Sequence, residues 1–129
     1  MARILAVDDD PVMRSVIAKA LAPLGHDVHF ASDGIHAMDA MRCNLDFDLL
    51  ITDISMPVLD GRQLIATIMN DKSMPRIPIL ITSGVVGVNE IADLLDLGAT
   101  KFVPKPINMD AFRLDVESCL ELRPALSPA

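Results

Sequence analysis

The sequence predicts a doubly wound α/β domain with a five-stranded parallel sheet, and three observations predict it. Short apolar-rich runs recur along the 129 residues, at Ile4–Val7, Val28–Ala31, Leu49–Ile51, Ile79–Ile81 and Phe102–Val103. Runs without polar alternation mark strands covered on both faces, which is the setting of a parallel sheet. Stretches with helical apolar spacing separate the runs, so strand and helix alternate as in βα units. Finally, the runs end in residues that carry chemistry: Asp8-Asp9-Asp10, Asp53, Thr82-Ser83-Gly84 and Lys105 between two prolines.

Taken in order, Ile4–Val7 runs into three aspartates and then Pro11. Asp10 before Pro11 reads as an N-cap followed by a favoured first helical residue. The first helix carries Val12, Met13, Val16, Ile17, Ala20, Leu21 and Leu24 on its core face and ends at Gly25. Val28–Ala31 is the second strand, and after Asp33-Gly34 a second helix places Ala37, Met38 and Met41 inward. The third strand, around Leu49–Ile51, delivers Asp53 into a loop containing Met56-Pro57 and the Asp60-Gly61 turn. A third helix follows with Leu64, Ile65, Ile68 and Met69 as its core face, and a loop from Asp71 to Pro78 precedes the Ile79–Ile81 strand. The fourth helix uses Ile91, Leu94 and Leu95 and stops at Gly98. Phe102-Val103 is a short fifth strand, ended by Pro104, whose missing N–H suits a strand end or an edge. A last helix from about Asn108 buries Phe112, Val116, Cys119 and Leu120. Residues 1–122 thus form one domain, and 123–129 read as a tail or the start of a linker.

Composition narrows the function. The net charge of −7 argues against binding a phosphate backbone, and four Phe without Trp or Tyr offer no stacking platform for bases, so no direct nucleic-acid contact is expected. No apolar run is long enough to cross a bilayer, so membrane insertion is not expected either. Cys43 and Cys119 match no metal spacing and read as small buried hydrophobes in a reduced, cytoplasmic setting. His26, His29 and His36 have no acidic or Cys partner at ligand spacing and read as strand-edge or helix-surface residues.

Right-handed crossovers bring the carboxyl ends of all strands to one edge of the sheet. Asp8, Asp9, Asp53, Thr82 and Lys105 gather there. Two carboxylates about 4 Å apart repel by roughly 4 kcal/mol at an effective dielectric of about 20, so three together call for a cation. Lys105 offsets part of this, and an oxygen-only ligand set suits Mg²⁺, whereas zinc would draw on His or Cys. A carboxylate such as Asp53 is then placed to attack a phosphoryl donor, and the Thr82 hydroxyl to follow the transferred group. Taken singly, each motif has a plainer reading: Asp8–Asp10 as a cap and solvated turn, Asp60-Gly61 as a turn, Lys105 as a surface lysine. Their joint occurrence at strand ends outweighs those readings.

In Asp8-Asp9, Asp53 with Met56-Pro57 and Asp60-Gly61, Thr82-Ser83 and Lys105-Pro106, the sequence resembles a response-regulator receiver domain of two-component signalling. The resemblance spans Arg3 to about Leu122 and implies a flavodoxin-like (βα)5 sandwich with strand order 2-1-3-4-5. It implies Asp53 as phosphoacceptor, and Mg²⁺ held by Asp8, Asp9, Asp53 and the Ser55 carbonyl. It also implies Lys105 as a phosphoryl contact before a cis proline bond, and Thr82 with Phe102 as the switch pair. A histidine kinase or phosphotransfer protein would donate, and an output partner would read the fourth helix, fifth strand and fifth helix, roughly Val86 to Leu122. The domain would catalyse only its own phosphorylation and dephosphorylation, and a homodimer is compatible with this reading. A haloacid-dehalogenase-type phosphatase is the alternative, but it carries a second Asp two residues after its nucleophile, where this chain has Ser55. A flavin domain would need a phosphate loop where Asp8–Asp10 repel phosphate. The chain fits either a single-domain regulator or the receiver of a longer protein.

Overall fold

The computed structural model describes residues 1–44, 46–84 and 87–123. In chain order they form β1 (Arg3–Val7), α1 (Pro11–Leu21), a 3₁₀ turn (Ala22–Leu24), β2 (Asp27–Ala31), α2 (Gly34–Cys43), β3 (Leu49–Asp53), α3 (Gly61–Asn70), β4 (Ile79–Ser83), α4 (Val88–Leu97), β5 (Lys101–Pro104) and α5 (Met109–Glu121). The five strands make one parallel sheet in the order β2-β1-β3-β4-β5, the predicted topology.

The strand period of two divides each central strand between two cores. Ile4, Ala6, Leu49, Ile51 and Leu80 pack with Ile17, Leu21, Phe112 and Val116 under α1 and α5. Leu5, Val7, Leu50, Ile79 and Ile81 pack with Met38, Leu64, Ile65 and Leu94 under α2, α3 and α4. Each fully buried aliphatic contributes on the order of 1.5–3 kcal/mol, which makes this double packing the main support of the fold. The helices begin where the sequence supplies an oxygen. Asp10, Asp33 and Asn108 accept from the backbone N–H of Val12, His36 and Ala111, and Asp60 forms a capping box with Gln63.

Several expectations need correction. The α-helical part of α1 ends at Leu21, and Pro23, which lacks an N–H, continues as a 3₁₀ turn closed by Gly25 at φ 73°. Val12 is 67% exposed because the first turn of α1 stands beside the Asp8–Asp10 loop, and α1 buries residues only from Ile17 onward. Leu95 is 43% exposed, since one helical step rotates it away from Leu94, the buried residue of α4. Cys43 is exposed on the side of α2 opposite Met41, while Cys119 is buried as expected. The histidines lie on the surface or at the sheet edge, yet each meets a carboxylate: His26 with Glu117 at 2.8 Å, His29 with Asp27 at 3.0 Å and His36 with Asp33 at 2.8 Å. Val86, the expected start of the signalling face, and the tail from Pro124 lie outside the described residues.

One strained residue stands out in the β3–α3 loop. Val58 has φ 70°, and the Leu59 N–H donates to the Pro57 carbonyl at 2.8 Å, closing a γ-turn around it. A β-branched side chain pays about 1–2 kcal/mol in that region, and at 79% exposure it recovers little by packing. Val58→Gly is therefore expected to stabilise the protein, by up to about 1 kcal/mol in chemical denaturation, because glycine has no Cβ to strain at positive φ.

Candidate functional site

The site forms at the carboxyl ends of β1, β3, β4 and β5, beside the β1/β3 switch point where the strand order reverses. Register sets Asp53 level with Thr82 across β3 and β4. Asp8 follows β1, its N–H donating to the Ala31 carbonyl of the neighbouring strand at 3.1 Å. Lys105 follows β5, and its backbone N–H is pinned to the Ser83 carbonyl at 2.7 Å. The Lys105–Pro106 bond is cis.

These anchors converge the charged groups. Lys105 Nζ lies 3.1 Å from Asp8 Oδ2 and 3.1 Å from Asp53 Oδ2. The remaining oxygens are held by main chain: the Asp10 N–H donates to Asp8 Oδ1 at 2.9 Å, and the Ile54 N–H to Asp53 Oδ1 at 2.8 Å. Asp8, Asp9 and Asp53 each offer a carboxylate oxygen within 4.8 Å of the others. Asp8 is 0% and Asp53 7% exposed, whereas Asp9 is open to solvent. Among the described residues no hydrogen bond or ion pair engages the Asp9 carboxylate.

Burial pushes the Asp53 carboxyl above its ordinary value, Lys105 opposes this, and the charge of Asp8 adds to it. Burial alone would lower the Lys105 ammonium, but its bonds to Asp8 and Asp53 prevail and hold it above the usual lysine value. Three carboxylates with one ammonium between them remain a site of excess negative charge. The donor set is oxygen only and the Asp9 carboxylate is unengaged, so the residues fit a small hard cation such as Mg²⁺ and not zinc.

Thr82 is 1% exposed, and among the described residues its Oγ1 has no hydrogen-bond partner. A buried hydroxyl without a partner costs about 1–3 kcal/mol. Phe102 is half-buried on β5, level with Ile81, and packs on the core under α3 and α4. Ser55 is exposed on the wall of a cleft of about 530 Å³ that Asp9, Met56, Pro57, Asp60 and Glu90 also line.

Sequence reasoning passed over two parts of this site. Gly61, read as a turn residue and part of the receiver motif but given no contact with Asp53, packs its Cα against the Asp53 carbonyl, and its N–H donates to the Ile54 carbonyl at 2.8 Å. Its position directly after the cap residue Asp60, at the start of a helix that must abut β3, was the available signal. Arg14, at the second turn of α1, donates from Nη1 to the Asp8 carbonyl at 2.7 Å. No spacing rule marks a cation reaching back six residues, so no signal existed for it.

Comparison with known proteins agrees with this arrangement. The family described as "Response regulator receiver domain" matches residues 4–117. A chemotaxis protein CheY homolog of Campylobacter jejuni is 32% identical over 119 residues, 92% of this chain and 92% of its own. The transcriptional regulatory protein TcrA of Mycobacterium tuberculosis is 35% identical over 108 residues, 84% of this chain but 42% of its own. Among solved structures, Vibrio cholerae chemotaxis protein CheY4 superposes with a TM-score of 0.85 at 27% identity, covering 92% of this chain and 98% of that one. In the described residues no helix is long and apolar enough to cross a membrane. The chain belongs to the response-regulator receiver domains of two-component signalling, CheY-like in fold, a family whose members act as signalling switches rather than as turnover enzymes.

Proposed function

We propose that the chain takes a phosphoryl group onto Asp53 and converts it into a change of partner affinity. The observation that carries this is the buried Thr82 hydroxyl, unpartnered among the described residues and level with a buried carboxylate that Lys105 holds in place. An Asp53 carboxylate oxygen attacks the phosphorus of a phosphohistidine on a histidine kinase or phosphotransfer protein. The donor's P–N bond breaks, and the imidazole nitrogen leaves with the bonding pair and takes up a proton. Lys105 offsets part of the cost of burying the Asp53 charge and meets a phosphoryl oxygen. Mg²⁺, when bound by Asp8, Asp9, Asp53 and the Ser55 carbonyl, would supply the positive charge that lets four anionic groups meet. The phosphoryl oxygens give the Thr82 hydroxyl the acceptor it lacks, and its move inward frees space that the Phe102 ring follows.

The output is binding, through the α4-β5-α5 face. Leu95 on α4 and Leu114 and Leu122 on α5 or at its end are 43%, 72% and 66% exposed there, large apolar side chains open to a partner. Residues 1–122 act as the receiver unit in a cytoplasmic phosphorelay. With −7 net charge the chain contacts no nucleic acid itself, and any transcriptional effect comes from another domain or protein.

The test follows backbone amide shifts on adding a phosphodonor with Mg²⁺. In the parent, shifts are expected around Asp53 and also in α4, β5 and α5. In Thr82→Val the hydroxyl is gone, the unliganded protein is about 1 kcal/mol more stable, and the shifts stay near Asp53. Distal shifts of equal size in that variant would contradict the role given to Thr82.

A further inference from the structure

We propose that Arg14 is a positioning residue for cation binding: it clamps the Asp8–Asp9 peptide so that the open carboxylate of Asp9 faces the site. The proposal rests on the reading of Asp8, Asp9 and Asp53 as a Mg²⁺ site and concerns a residue of α1 outside the acidic cluster.

Asp8 is held at every polar atom. Its N–H donates to the Ala31 carbonyl, Oδ1 accepts from the Asp10 N–H, and Oδ2 meets Lys105. Its carbonyl lies past the end of β1, and there the Arg14 guanidinium donates at 2.7 Å. The Arg14 backbone N–H donates in turn to the Asp10 carbonyl at 3.0 Å. Two bonds from one residue thus close residues 8–14 into a ring, and Asp9 sits inside it.

Asp9 has no such support of its own. It is exposed, and among the described residues its carboxylate has no hydrogen-bond partner, so only its backbone aims it. The plane of the Asp8–Asp9 peptide sets that aim, and the Arg14 bond fixes the plane. Partners of this kind, one step removed from a metal, typically change its affinity about 10- to 100-fold when lost.

Charge alone predicts the opposite sign. A guanidinium near the site repels a dication, so removing it without any positioning effect would tighten Mg²⁺ binding. The direction of the change therefore separates a positioning role from a bystander charge.

The test is calorimetric titration of the unphosphorylated protein with MgCl₂, alongside thermal unfolding. Arg14→Met is expected to weaken Mg²⁺ binding about tenfold, at the lower end of that range. Arg14→Lys keeps the charge and can still donate, without the guanidinium's length and planar fork, and is expected to fall between Arg14→Met and the parent. Should Arg14→Met fail to fold, the comparison of Arg14→Lys with the parent carries the same prediction. Unchanged or tighter binding in a folded Arg14 variant overturns the proposal. A parent protein that does not bind Mg²⁺, or whose binding survives Asp9→Asn, overturns the site reading beneath it instead.

Discussion

Asp53→Asn is expected to make the protein more stable and, at the same time, unable to take up a phosphoryl group. The carboxylate is 7% exposed and sits with Asp8 around one ammonium. Burial and the neighbouring Asp8 charge outweigh the help from Lys105, so ionised Asp53 is a net cost to the fold. An amide keeps the size and the bond from the Ile54 N–H while removing the charge, and Lys105 keeps its pairing with Asp8. A gain of about 1 kcal/mol is expected at neutral pH, which for a domain of this length raises Tm by roughly 3–5 °C. The gain depends on pH in a defined sense. Because the folded-state pKa of Asp53 is raised, the parent holds this stability below the unfolded-state value and loses it as pH climbs through the folded-state value. Parent and variant should therefore unfold at similar temperatures near pH 4 and diverge as pH rises toward neutrality, as read by thermal melts across that range. A variant less stable than the parent at neutral pH would contradict the charge balance described for the site.

Gly61→Ala is expected to be strongly destabilising. A Cβ at Gly61 would collide with the Asp53 carbonyl and come within 2.9 Å of the Ile54 Cα, both backbone atoms that cannot rotate away. Overpacking of this kind costs about 2–3 kcal/mol, equivalent to a drop in Tm of roughly 8–12 °C. Relief would require α3 to move off β3, and the bond from the Gly61 N–H to the Ile54 carbonyl would lengthen with it. Because the displaced backbone is that of Asp53 and Ile54, Mg²⁺ binding should weaken together with stability. Gly84→Ala serves as the control. There a Cβ meets nothing within 4 Å among the described residues, and a change within about 0.5 kcal/mol is expected. Equal effects at both positions would mean that the close approach at Gly61 is not what matters.

The fold was legible because its signals are local. Leu49–Ile51 and Ile79–Ile81 are apolar on both faces and could only be inner strands, and Asp10-Pro11 announced the start of α1 within two residues. The charged constellation was legible because topology alone carries strand ends to one edge, so Asp8, Asp53, Thr82 and Lys105 could be placed together without any side-chain coordinates. What stayed hidden depends on contacts between distant elements. His26 and Glu117 are 91 residues apart in sequence, and only the packing of α5 beside the β2 approach joins them. Val12 and Leu95 satisfied the helical period yet stand exposed, since period fixes a direction on a helix and not whether another element covers it. The left-handed Val58 broke the local rule outright, as no propensity assigns a β-branched residue to that conformation. Arg14 looked like an ordinary helix-surface arginine, because its role depends on the length of its reach back to Asp8.

Asp53, within its acidic pocket, is expected to accept a phosphoryl group in a cation-dependent way. Intact mass of the protein before and after incubation with acetyl phosphate tests it most directly, with and without Mg²⁺, on the parent and on Asp53→Asn. A mass gain of one phosphoryl group is expected in the parent only when Mg²⁺ is present, and no gain in Asp53→Asn. A folded parent that binds Mg²⁺ and gains nothing, or an Asp53→Asn protein that gains as readily as the parent, would contradict it.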